Sequence, residues 1–142
     1  MMENRHRQLF SAGILLFLLA LFTGMVFPQL KNPRMGLSAH LVGLIGGVFL
    51  VAVGSIWKEI TLSRRLAAIA FGCAILGAYA NLVTTFLAAA FATNRLTPLA
   101  GSGHPAAPLP EGIVTVGLVL ASAAMVTCCI LLLWGLRRPN PN

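Results

Sequence analysis

The sequence predicts an all-α membrane protein: a four-transmembrane-helix antiparallel bundle forming a single domain over residues 1–142, with N and C termini cytoplasmic. Three observations predict it. Of 142 residues, 58% are hydrophobic and only 9% charged, against about 25% charged in soluble domains. Four uncharged stretches, at about 9–28, 35–57, 66–94 and 112–136, are each long enough to cross hydrocarbon, which takes about 20 residues, and only helices satisfy their own backbone there when so far apart. The connections are short except one, which favours up-down-up-down packing.

The first span, Leu9 onward, has too long an apolar run for a signal peptide and no Ala-x-Ala-like site after Thr23 and Gly24, so it is read as a membrane helix. The turn Pro28 to Arg34 carries proline near both ends, which leaves little slack between the first two helices.

The second span holds His40, the one histidine of three that lies inside a span. An imidazole in hydrocarbon calls for a partner or a task. At about 100° per residue, Gly36, His40, Gly43, Gly47 and Gly54 fall within roughly 60° of one another. This stripe is either a small-residue packing seam or a face against which something flat can lie, with Gly43 and Gly47 bordering a cofactor held by His40.

On the third span, Gly77, Asn81, Thr84 and Ala88 share a face, with Tyr79 to one side and Thr85 bordering it. An unpaired amide at this depth is costly. Asn81 is therefore either a hydrogen-bonded contact between helices or a contact to substrate or cofactor. The loop from Thr97 to Glu111 mixes glycine with proline and is read as a lid or a partly ordered surface loop. The fourth span repeats the small-residue pattern in Gly117, Ala121, Ala124, Cys128 and Gly135. Two such faces exceed what one small bundle needs, so a homo-oligomer is expected with one of them at the subunit contact. Depth brings His40, Asn81 and Glu111 into the same half of the bilayer, where Glu111 also suits a helix N-terminus.

The net charge of +7 is a topology signal rather than a nucleic-acid footprint. Arg5, Arg7, Lys58, Arg64, Arg65, Arg137 and Arg138 lie on one face and Lys31, Arg34 and Arg95 on the other, which makes the termini cytoplasmic. Trp57 and Trp134 fall where interfacial aromatics belong, membrane lipid is the surrounding partner, and the interleaved basic and aromatic patch of a nucleic-acid binder is missing. Cys73, Cys128 and Cys129 have neither metal-site nor disulfide spacing and read as small apolar fillers.

Nucleotide loops, serine-nucleophile elbows and zinc-binding helix motifs are absent from the sequence. One imidazole cannot hold zinc alone, but it can hold haem iron, because the porphyrin supplies the other four donors. With His6 and His104 outside the membrane, a single ligand at His40 leaves the sixth position open for chemistry.

The run Asn32-Pro-Arg-Met-Gly-Leu-Ser-Ala-His40-Leu-Val-Gly43, with Gly54-Ser-Ile-Trp57, Tyr79-Ala-Asn81 and Trp134-Gly-Leu-Arg137, resembles the hydroxylaminobenzene mutases. More distantly, the chain is similar to the styrene oxide isomerases. That resemblance implies an isomerase of the bacterial inner membrane, multi-pass, with haem b iron bound by a histidine placed like His40 at the interface of a homo-oligomer, a trimer. Styrene oxide isomerases carry asparagine and tyrosine where this chain has Gly46 and Thr85, so the mutase branch fits better than epoxide isomerisation. It implies rearrangement of a small aromatic hydroxylamine to a 2-aminophenol, with Asn81, Tyr79 and Thr84 as candidate catalytic residues. The contrasting class is a non-enzymatic transporter or assembly subunit, in which His40 and Asn81 only pack.

Overall fold

A computed structural model describes residues 3–101 and 107–137. Among these there is no strand, and four helices are long and apolar enough to cross a membrane. They are α1 (Glu3–Val26), α2 (Pro33–Ile56), α3 (Arg64–Phe91) and α5 (Pro108–Leu136), with a short α4 (Pro98–Gly101) in the long connection. Gly103, His104 and Arg138 lie outside the described residues.

Sequence sets each boundary locally. Asn32 caps α2 by accepting the Met35 N–H on its side chain at 3.0 Å, with Pro33 at the first helical position, where a missing N–H costs nothing. Ser63 caps α3 in the same way through the Leu66 N–H. At its other end α3 stops at Ala92, held in the left-handed region at φ 54° while its N–H bonds Ala88. A non-glycine residue costs about 1–2 kcal/mol in that conformation. The span therefore ends three residues earlier than the predicted 94, and α5 starts at Pro108, four residues before the predicted 112.

Within the antiparallel arrangement the helices form an open row. α1 packs on α2, α2 on α3 and α3 on α5, whereas α1 and α5 scarcely meet. The reason lies in the small-residue faces. A Cβ at Gly47 would stand 2.8 Å from the Gly13 carbonyl oxygen of α1, and one at Gly43 would stand 2.6 Å from Ala20 Cβ. On α5, Gly117 sits against Thr84, while a Cβ on α3 at Gly77 would lie 3.3 Å from the Ala121 carbonyl. Both stripes are thus used within the chain, and the expectation that one of them forms a subunit contact is corrected.

Hydrogen bonds tie the row at both ends. The Thr61 N–H donates to the Gly135 carbonyl at 3.1 Å, and the Asn32 N–H to the Ala89 carbonyl at 3.1 Å. Trp57 does not sit in an outward aromatic belt. It is buried, edge-on to Phe71 at 6.0 Å, and Arg5 stands 5.6 Å over the same phenyl ring. Trp134 is exposed, as an interfacial tryptophan should be.

Candidate functional site

His40 reaches its setting because the second helix turns it toward α1 at a point where α1 offers a carbonyl and no side chain. Its Nδ1–H donates to the Ala20 carbonyl at 2.7 Å. A carbonyl can only accept, so the proton belongs on Nδ1 and Nε2 keeps its lone pair. Gly24, one turn along α1, makes the space: a Cβ there would stand 2.6 Å from Nδ1 and 2.7 Å from Cε1. The ring is half-buried, and among the described residues Nε2 has no partner and is not sealed in. Gly43 and Gly47 do not present an open face beside it. α1 fills that face, which corrects the expectation that a cofactor lies on those two glycines.

Asn81 faces a different opening. Thr85 donates to its Oδ1 at 3.5 Å, which leaves the Nδ2 amide hydrogens without a partner among the described residues. The amide borders an apolar groove of about 330 Å³ between α2, α3 and α5, lined by Val42, Ile45, Gly46, Phe49, Ala78, Met125 and Cys129. That volume is in the range of small-molecule sites, roughly 300–1,000 Å³. Gly46 and Thr85, the two positions where the chain departs from the styrene oxide isomerase pattern, both belong to this groove: one lines it and the other holds its amide.

The two hydroxyls expected beside Asn81 are engaged elsewhere. Tyr79 donates to the Ala12 carbonyl at 2.8 Å, which ties α3 to α1. Thr84 is buried under Gly117 and returns its hydroxyl to the Ala80 carbonyl of its own helix at 2.6 Å, a bond that satisfies a threonine without a partner helix. The hydroxyls of Tyr79 and Thr84, expected beside the reacting groups, are thus both engaged by backbone carbonyls.

His40 and Asn81 share a depth but not a side. From the Asn32 to Ala89 bond, each lies eight residues along its helix, about 12 Å into the membrane. Around α2, however, Val42 and Phe49 of the Asn81 groove are roughly 160–180° from His40 at 100° per residue, and His40 lines none of the groove. Within one chain the two side chains face opposite ways.

Glu111 is not part of either opening. Its carboxylate accepts the Asn94 N–H at 2.7 Å and the Arg95 N–H at 3.2 Å, which fastens the chain leaving α3 to the first turn of α5. Asn32 was visible in the sequence only as part of a motif. In the structure it is buried, caps α2, bonds Ala89 and donates its side-chain amide to the Ala100 carbonyl at 2.7 Å. Ala20 and Gly24 were missed altogether. The available signal was a glycine on the first helix, close before the short turn that leads into the His40 helix.

No group of three or more histidine, cysteine or acidic side chains that could hold a bare metal ion occurs among the described residues. The residues do fit haem iron, which asks for one protein donor. A histidine metal ligand normally gives its other ring N–H to a carbonyl or carboxylate, and the His40 bond to Ala20 is of that kind.

Comparison with known proteins follows the same lines. The family model for styrene oxide isomerase matches residues 5–137. The chain is 43% identical over 132 residues to hydroxylaminobenzene mutase HabB of Ectopseudomonas oleovorans, covering 92% of this chain and 80% of the relative. It is 39% identical over 131 residues to hydroxylaminobenzene mutase HabA of the same organism, covering 92% and 97%. No solved structure matches.

Proposed function

The chain belongs to the styrene oxide isomerase family and is an isomerase, and from that premise we propose that it is an inner-membrane mutase converting arylhydroxylamines to 2-aminophenols. The observation that carries this reading is the match to two mutases over 92% of the chain. The oxygen leaves nitrogen for the ortho ring carbon and that carbon's hydrogen is replaced at nitrogen, so substrate and product are isomers and no co-reactant is consumed.

His40 would hold haem b through Nε2, and the bound iron would supply Lewis acidity toward the N–O group. The chain's own part is positional. The Ala20 carbonyl fixes the imidazole tautomer, and Gly24 keeps its cradle clear. The Asn81 amide donates to the hydroxylamino oxygen and orients it, while Val42, Phe49 and Met125 hold the ring in a groove without charge, where such a hydrogen bond counts for more than in water. Because His40 and Asn81 face opposite sides at one depth, the site is completed between copies of the chain, with His40 of one meeting the Asn81 groove of the next.

Membranes carrying the chain should convert hydroxylaminobenzene to 2-aminophenol without added nucleotide. Asn81→Ala should lower turnover ~10- to 100-fold, or about 1.4–2.7 kcal/mol of transition-state binding, while haem stays bound. Full activity in that variant would reduce Asn81 to a packing residue. No rearrangement of any arylhydroxylamine by haem-loaded protein would overturn the assignment, and conversion of aryl epoxides instead would favour the epoxide branch that the family description covers.

A further inference from the structure

A second opening lies at the other end of the α1–α2 seam, far from Asn81. A polar cavity of about 350 Å³ is lined by Asn4, His6 and Arg7 of α1 and by Lys58 in the turn after α2. Among the described side chains its lining holds no carboxylate and Arg7 and Lys58 have no ion-pair partner; Glu59 is next to Lys58 in sequence but does not line the cavity. His6 Nδ1 is buried with no hydrogen-bond partner. His6 and Lys58 stand where the apolar runs of α1 and α2 end, which is the depth of lipid headgroups.

An apolar groove of about 180 Å³ continues along the same seam, lined by Gly13, Ile14, Phe17, Gly47, Val48 and Val51. Gly13 and Phe17 lie within roughly 20° of His6 around α1, and Ile14 about 20° from Arg7, so the groove is on the cavity's side of the helix. Seven residues separate His6 from Gly13, about 10 Å along the membrane normal. Ile14 and Val48 are 65% and 57% exposed at its rim. A cationic cup thus stands directly above an uncharged channel, with two glycines in its floor.

We propose that this seam is a binding site for one anionic phospholipid, its phosphodiester between Arg7, Lys58 and His6 and an acyl chain along the Gly13 and Gly47 groove. Basic pockets between membrane helices hold acidic headgroups in this way. A phosphate there would accept from Arg7 and Lys58, beside the His6 ring that lines the same cavity, and would supply a counter-charge that no described side chain of the lining provides. The proposal is independent of the reaction, since none of these residues belongs to the Asn81 groove or touches His40.

The test uses full-length protein purified in detergent and titrated with phosphatidylglycerol, phosphatidylcholine or inorganic phosphate, read by native mass spectrometry and thermal unfolding. Phosphatidylglycerol should bind one per chain and raise the unfolding temperature, and the other two should not. Arg7→Gln with Lys58→Gln should weaken binding about 30-fold, at about 1 kcal/mol per cation near the surface. Val48→Trp, which fills the groove from an exposed position, should weaken it with the charges intact. Equal stabilisation by phosphate alone would make this a free-anion site, and equal binding of phosphatidylcholine would remove the charge recognition. Loss of oligomer in Val48→Trp with lipid binding unchanged would make the seam a subunit contact. Each of these three results overturns the proposal.

Discussion

At the scale of single residues, the decisive pair is a histidine and the carbonyl opposite it. His40 was legible in the sequence because an imidazole in a span stands out, and Asn81 for the same reason. Their surroundings were not legible, because a backbone acceptor such as Ala20 has no side-chain signature and Gly24 looks like any other membrane glycine. The bonds of Tyr79 and Thr84 were not legible for a related reason: sharing or flanking a helix face with Asn81 says nothing of whether a hydroxyl is already bonded, and both are. Gly24→Ala should therefore behave as a mild version of His40→Ala. The added methyl stands 2.6 Å from Nδ1, so the ring must swing and its bond to Ala20 must lengthen. Helix content and membrane insertion should be unchanged while the Soret band of haem-loaded protein shifts or weakens. An unaltered spectrum in Gly24→Ala, with loss in His40→Ala, would show that the cradle does not position the ring.

At the scale of elements, glycine decides which helices touch. The period of small residues on the second and fourth spans was plain in the sequence, but periodicity names a face and not its neighbour. α1 claims the first face and α3 the second. Gly47→Leu would drive a side chain into the Gly13 carbonyl and the Phe17 backbone, and Gly117→Leu into Thr84. Overpacking of this kind costs about 1–3 kcal/mol, measurable as a lower unfolding temperature in detergent. Gly72→Leu serves as the control, since a Cβ there meets nothing within 4 Å, and it should leave stability within about 0.5 kcal/mol of wild type. Glu111→Gln should loosen the other junction. It removes the charge from two hydrogen bonds to the Asn94 and Arg95 amides, and bonds to a charged acceptor are worth about 1.5–3 kcal/mol against about 1 for neutral ones. Faster amide exchange at Asn94 and Arg95, with α3 protected, would show it.

At the scale of the whole molecule, the membrane span count was readable from hydropathy, and the open row was not, because four amphipathically featureless helices can close or line up with equal composition. The row leaves His40 and the Asn81 groove on opposite sides of α2, and from this follows a complementation experiment. His40→Ala and Asn81→Ala chains, each impaired alone, should recover activity above either one when co-expressed in mixed oligomers, at about a quarter of the subunit contacts when mixing is random. No recovery, with mixed oligomers verified by mass, would confine each site to one chain. The row also bears on how the protein is made. Each long helix after the first packs on the long helix synthesised just before it, so each of these pairings can form without an element still on the ribosome. Contacts of short sequence separation form quickly, and a nascent chain that has released α3 already holds its first two helix interfaces. α5 then adds to an edge that is waiting for it, and the order of translation is also an order of assembly.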